Sequence, residues 1–168
     1  GAAANLPESV TSQAWNDALA SVTAERPSIQ RSGDDHYIMY TGGTTGMPKG
    51  VVWRHEDAFF ACIGGGDPMR MSGPVSTPAE MIERILPGPF TTFPCAPLIH
   101  AAAQWTGLSW WFCGGRIVLQ SGSFDGRAVW QAVQDESVGV LIIVGDAMAR
   151  PLLDAWEAHG PFDISSLF

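Results

Sequence analysis

Cysteine is scarce in this chain: Cys62, Cys95 and Cys113 are the only three in 168 residues, and none forms a Cys-x-x-Cys pair. An odd, scattered set supplies neither a disulfide framework nor a zinc site, so all three are expected to be reduced, cytoplasmic thiols in or near the core. Positive charge is also short. Nine Lys and Arg stand against seventeen Asp and Glu, a net charge of −8. Such a chain repels polyanions, which argues against nucleic acid or an anionic membrane surface as a general partner. Long apolar runs are missing as well. The most apolar stretches, 108–113 and 138–144, fall far below the ~20 residues a bilayer-spanning helix needs, so no transmembrane segment is expected. Residues 1–5 carry no basic start and lead into no apolar h-region, so a signal peptide is not expected either. There is no internal repeat and no low-complexity segment.

What is present is apolar and aromatic. Hydrophobic residues make up 46% of the chain, with seven Trp and eight Phe, which calls for a dense core or for surfaces that meet further neighbours. Val10, Ala14, Trp15, Ala18, Leu19 and Val22 follow helical spacing behind Thr11 or Ser12 as N-cap. Residues 37–41 read as a strand and 51–53 as a second one. Residues 42–49 between them hold three Gly and a Pro in eight positions and cannot be regular structure. Residues 55–62 look helical and end at Gly64-Gly65-Gly66. The stretch 67–97, with seven Pro, reads as an ordered surface excursion containing one helix near 78–85. After it the pattern alternates: a helix over 101–112, a strand over 116–120, an amphipathic helix over 127–135, a β-branched strand over 138–144, and a helix over 151–159 with Pro151 tolerable only in its first turn. Strand and helix in alternation with buried strands predict an α/β layer. The last residues, 163–168, stop where a further strand is due, so the chain is expected to be truncated.

Residues Tyr40-Thr41-Gly42-Gly43-Thr44-Thr45-Gly46-Met47-Pro48-Lys49-Gly50 concentrate the chemistry. Glycine lets the backbone turn and approach a ligand closely, and successive N–H groups in such a turn form an anion-binding concavity. Thr41, Thr44 and Thr45 add hydroxyl donors, and Lys49 adds a mobile positive charge. Between two strands this is a cradle for an oligophosphate; the plainer alternative is a Gly/Thr-rich hairpin loop with an ordinary surface lysine. It is not a Walker loop, which needs Gly-Lys-Ser/Thr opening a helix.

These residues resemble the signature loop of the AMP-forming acyl-CoA synthetases, the superfamily that includes luciferases and peptide-synthetase adenylation domains. Its pattern, aromatic-Thr-Ser-Gly-Thr-Thr-Gly-any-Pro-Lys-Gly, is met at ten of eleven positions, Gly42 standing where the family usually has Ser. The likeness continues through Val51-Val52 and His55. It resumes at Pro97-Leu98-Ile99-His100, similar to the family's Pro-x-x-His segment, and at Gly114-Gly115-Arg116-Ile117-Val118-Leu119. Residues 138–156 resemble the next strand–helix unit, with Val144-Gly145-Asp146 where the family commonly has Val-Pro. In texture the chain is most similar to actinobacterial fatty-acyl-CoA synthetases, some of which act on sterol-derived acids.

The resemblance implies that residues 1–168 are part of the large N-terminal, AMP-binding domain, with a strand–loop–strand phosphate loop ahead of the α/β layer and the C-terminal domain absent. It implies a parent that joins a small carboxylic acid to ATP and passes the acyl group to coenzyme A, with Mg2+ on the phosphates. Thr41, Gly42, Gly43, Thr44, Thr45, Gly46 and Lys49 would hold the nucleotide, and His100 and Trp105 would meet the acyl substrate. His100 has the alternative of capping its helix, and Trp105 that of core packing. No pair of carboxylates suggests acid–base work, and no residue is assigned a catalytic or metal-ligating role. His36 and His159 are expected to be solvated, His55 to open its helix, Trp110-Trp111 to pack, and Glu56-Asp57 to meet the helix dipole. The adenine and ribose motifs, the hinge and the catalytic lysine of the family are not found here, so the chain alone is expected to be inactive and to depend on the remainder of its polypeptide. Two other readings stay open: a carrier-protein acceptor in place of coenzyme A, and a non-catalytic scaffold with an empty loop.

Overall fold

The structure, a computed structural model, describes residues 13–42, 46–88 and 90–168. Contacts divide the chain after Arg31 into two units. The described part of the first holds one helix, α1 (Trp15–Ala20), none of it buried. The helix expected over 10–22 is thus shorter. Its candidate caps Thr11 and Ser12 lie outside the described residues, and the Ser21 N–H closes the last turn on Ala18 and Asp17, ahead of Val22. With no apolar face covered, six residues have little to sustain them as a helix.

The second unit, Ser32–Phe168, opens with an antiparallel hairpin of β1 (His36–Thr41) and β2 (Lys49–Arg54), in the register Thr41 opposite Lys49 and Tyr37 opposite Trp53. β2 starts two residues before the expected 51, because Lys49 and Gly50 still pair with Thr41 and Tyr40. Lys49 is therefore a strand residue and not part of the loop. Along β1 the faces alternate: Tyr37 and Met39 are covered, while Ile38 and Tyr40 are exposed.

The next helix is less regular than its sequence suggests. An opening turn, α2 (His55–Asp57), passes into a π turn at Ala58–Cys62, where the Ile63 N–H reaches back five residues to the Ala58 carbonyl at 3.1 Å. It ends at Gly64, Gly65 and Gly66, all with left-handed φ of 85°, 57° and 79°, which a side chain would resist. Asp67 then organises the excursion. Its buried carboxylate accepts the N–H groups of Met71, Ser72 and Gly73 at 3.0, 2.8 and 2.6 Å, and Arg84 donates to the Gly73 carbonyl. Burial works against the Asp67 charge, but those three N–H bonds and nearby Arg84 outweigh it and hold the carboxyl below its usual range. α3 (Pro78–Glu83) follows, with Pro78 at its start as expected.

The excursion does not run to Pro97. Thr91–Pro94 is a strand, β3, buried at all four positions and central in a parallel sheet of order β4–β3–β5. Proline masks it in the sequence: it is short, lies among Pro87, Pro89 and Pro94, and ends where Pro94 can no longer donate to the ladder. Helix α4 (Ala101–Phe112) has its expected bounds. β4 shrinks to Arg116–Ile117, with one further bond from the Val118 N–H to the Thr92 carbonyl. α5 (Gly126–Asp135) is capped by Asp125, whose carboxylate accepts the Arg127 and Ala128 N–H groups. β5 (Val138–Ile142) ends two residues early.

α6 (Asp146–His159) starts a turn and a half before the expected 151, which leaves Pro151 inside the helix. The Gly145 carbonyl accepts from both Met148 and Ala149 and so nucleates the helix upstream of the proline. α6 also packs directly on α5: a Cβ at Gly126 would stand 2.3 Å from the Pro151 carbonyl oxygen, so only glycine fits there. Phe93, Val129, Val133, Val138 and Leu152 form the core between sheet and helices. Trp110 is buried and stacks on Phe90 with centroids 4.0 Å apart, as a packing residue should. Its neighbour Trp111 departs from that expectation; it is 56% exposed and lies against Phe112. No described helix is long and apolar enough to cross a membrane.

Candidate functional site

The chain leaves the carboxyl end of β3 at Pro94 and reaches α4 after six intervening residues. Ligands of open α/β sheets gather at such carboxyl edges. Here the connecting segment faces the open end of the hairpin: Met39, Tyr40, Thr41, Gly42 and Pro48 on one side and Ile99, His100 and Ala101 on the other enclose a cleft of ≈ 490 Å³. Thr41, Gly42 and His100, far apart in sequence, are thereby brought to one site. Gly43, Thr44 and Thr45 lie outside the described residues. Gly46 is exposed at the return of the loop.

Lys49 heads β2 beside this cleft, and the Thr41 hydroxyl donates to its carbonyl at 3.3 Å. It is the only lysine of the chain, is exposed, and makes no ion pair among the described residues. Arg54, at the other end of β2, is differently placed. Its guanidinium binds Asp34, Glu56 and Asp57 at 2.7, 2.8 and 3.2 Å, and the hydrogen bond to Asp34 followed by the charge of Asp57 leads in raising its pKa further. Arg54 is neutralised where it stands. Lys49 has no such carboxylate partner among the described residues.

His100 precedes the first turn of α4. Its backbone is extended, its carbonyl accepts the Gln104 N–H at 3.0 Å, and its side chain makes no capping bond. The imidazole is exposed toward the cleft it lines. Trp105 does not line that cleft. Its indole N–H donates to the Tyr37 hydroxyl at 3.2 Å, the Tyr37 hydroxyl donates to the Gln104 side chain, and the ring meets Trp53 edge-on at 6.0 Å. This cluster fastens the hairpin to α4 and so fixes the width of the cleft. Tyr37 and Gln104, 67 residues apart, carry no motif that marks them as partners in the sequence.

None of the three thiols is poised for chemistry. Burial pushes Cys95 up to about 12 and also raises Cys62 and Cys113, which opposes the thiolate. Among the described residues no three His, Cys, Asp or Glu side chains stand together as a metal cluster would require.

Comparison with known proteins gives a consistent result. The sequence profile of a family described as AMP-binding enzyme matches residues 2–166. A 3-oxocholest-4-en-26-oate–CoA ligase of Rhodococcus rhodochrous is 42% identical over 160 residues, which is 92% of this chain and 28% of that protein. A medium-chain acyl-CoA ligase of Mycobacterium avium is 44% identical over 156 residues, again 28% of its length. The chain thus spans little more than a quarter of these curated relatives. In three dimensions the N-terminal domain of FACL13 from Mycobacterium tuberculosis superposes with a TM-score of 0.60 at 24% identity, over 90% of this chain and 34% of that one. The o-succinylbenzoate CoA synthetase of Bacillus subtilis gives 0.58 at 22% identity, over 82% of this chain and 33% of that one. These two likenesses concern the fold.

Proposed function

We infer the function from one premise: this chain belongs to the AMP-binding enzyme family. We propose that it is part of the N-terminal domain of an ATP-dependent acyl-CoA ligase, acting in the cytoplasm on fatty or sterol-derived carboxylic acids. In the first step a carboxylate oxygen attacks the α-phosphorus of ATP, giving acyl-adenylate and pyrophosphate. In the second the thiol of coenzyme A displaces AMP, giving the acyl thioester. The remainder of the polypeptide supplies the adenine site and the thiol-transfer step.

The observation that carries this reading is Lys49, without an ion-pair partner among the described residues, beside Thr41 at the mouth of the hairpin in a chain of net charge −8. A general anion site would not be built on so acidic a protein; a local one needs the donors found here. In this reading Thr41, Gly42, Gly43, Thr44, Thr45, Gly46 and Lys49 hold the β- and γ-phosphates and stabilise the charge that builds on the departing pyrophosphate. Mg2+ arriving with the nucleotide would supply further charge neutralisation beside Thr41, Thr44, Thr45 and Lys49. His100 faces the carboxylate across the cleft, and Trp105 keeps the acyl side of the cleft in place through Tyr37. The names of the two relatives, one acting on a steroidal acid and one on medium-chain acids, favour an extended apolar substrate.

A pyrophosphate-release assay of the whole polypeptide against fatty, aromatic and steroidal carboxylates tests the reading. Turnover with the apolar acids, dependent on ATP, is expected. Calorimetry with ATP adds a second measure: Lys49→Ala lowers affinity about 10-fold, the loss of one charge-assisted bond of ~1.4 kcal/mol. Absence of pyrophosphate release with every acid overturns the function.

A further inference from the structure

Met47 has no task in the function proposed above, yet it stands in the middle of the residues that have one. It lies between Gly46 and Pro48, two positions ahead of Lys49. It is 85% exposed, more than any other large apolar residue among those described. Its neighbour Pro48 lines the cleft together with Thr41, Gly42 and His100. The thioether therefore belongs to the rim of the proposed nucleotide site without being one of its donors. Donors that receive ATP must open to solvent between turnovers, and a side chain two positions from Lys49 opens with them.

The other five methionines are placed differently. Met39 lines the cleft but is buried. Met81 and Met148 are half-buried; the Met148 sulfur accepts the Val144 N–H at 3.4 Å, and the Met81 sulfur lies over Gly66. Met69 and Met71 are exposed, but they line a separate cavity with Asp67 and Arg84, which shares no residue with the His100 cleft. Among the six, only Met47 combines exposure with a place at the cleft. Oxidants reach the open thioethers first. The thiols compete poorly, because burial raises Cys62, Cys95 and Cys113, and thiol oxidation follows the thiolate. A thioether has no proton to lose and needs no such activation.

Resting on the nucleotide-binding reading above, we propose that Met47 is a modification site, oxidised by a peroxide to the sulfoxide, and that this change lowers the affinity of the adjoining loop for ATP. The sulfur lone pair attacks one peroxide oxygen, the O–O bond breaks and an S–O bond forms. The departing hydroxide takes the proton of the transferred oxygen and leaves as water. Sulfur loses two electrons and the peroxide gains them. The product carries a polar oxygen where an apolar thioether stood. That oxygen accepts hydrogen bonds, and it competes with phosphate for the Lys49 ammonium and the Thr41 hydroxyl. Methionine sulfoxide reductases, drawing on a dithiol, return the thioether, so the change is reversible.

The test treats the whole polypeptide with hydrogen peroxide, following each methionine by peptide mass spectrometry and ATP affinity by calorimetry. Met47 and Met71 are expected to oxidise at least about 10-fold faster than Met39. Saturating ATP should slow oxidation of Met47 and leave Met71 unaffected. Oxidation should raise the Kd for ATP about 10-fold, the loss of one charge-assisted bond, and a sulfoxide reductase with dithiothreitol should restore it. Met47→Leu should bind ATP as the wild type does and keep that affinity under peroxide, while Met71→Leu should lose it. The loss should run at nearly the same rate at pH 6 and pH 8, whereas a thiol route would accelerate about 100-fold with its thiolate. Met47 oxidation that ATP does not slow, a Met47→Leu protein that loses affinity like the wild type, or a rate that climbs with pH overturns the proposal. An untreated protein that binds no ATP overturns the nucleotide reading, and this proposal with it; binding that oxidation leaves unchanged overturns this proposal alone.

Discussion

The parallel layer and the hairpin treat water in opposite ways. Phe93, Val129, Val133 and Val138 of the layer are sealed from solvent, whereas β1 and β2 together bury only Met39. The layer is a scaffold whose order comes from apolar burial. The hairpin has too little buried surface to hold its position that way, and two-stranded ribbons are marginal on their own. It depends on a few directional contacts, from Tyr37 to Gln104 and Trp105 and from Trp53 to Trp105. Each arrangement matches what its part must do. Under the function proposed above, donors that receive a nucleotide have to stay exposed, and a rigid layer holds the helix they work against.

Three destabilising substitutions and one control probe that division. Phe93→Ala removes the largest sealed side chain and should lower the free energy of unfolding by about 3–5 kcal/mol in a denaturant titration, while Val52→Ala on the exposed face of β2 should change it by less than ~0.5 kcal/mol. Equal losses at the two sites would erase the contrast. Gly126→Ala forces a methyl group against the Pro151 backbone and should cost about 1–3 kcal/mol by the same measurement, since backbone cannot step aside as a side chain does. A neutral result would mean that α5 and α6 shift easily. Trp105→Phe has the smallest expected global effect of the three destabilising changes, about 1 kcal/mol for one lost hydrogen bond. Its local effect should be larger: amide exchange in β1 and β2 should accelerate while that of β3 and β5 stays as it was. Uniform acceleration would show the hairpin and the layer to be one cooperative body.

The same division explains what was legible in the sequence. α4 could be read to its bounds because its apolar run is long and is closed by Cys113-Gly114-Gly115. The loop over 40–50 stands out in the sequence because its residues are contiguous and each offers a donor, a charge or backbone freedom. β3 could not, since four residues ending in proline carry no period and their burial comes from neighbours elsewhere in the chain. The start of α6 at Asp146 is hidden for a related reason: Pro151 argues locally for a helix start, and contact with Gly126 of α5 overrides it. Trp105 could be singled out as an aromatic near His100, but its partners could not, because Tyr37 lies 68 positions away.

The π turn at Ala58–Cys62 has a consequence for how such a protein diversifies. A widened turn is one residue of slack within a helix, and π turns are commonly single insertions into an α-helical frame. Loss of one residue from this segment would restore ordinary winding and turn everything upstream by ~100° relative to everything downstream. Phe59 and Phe60 would then exchange places against Phe112. A one-codon deletion could thus refit the packing around Phe112 in a single step, where point substitutions would need several.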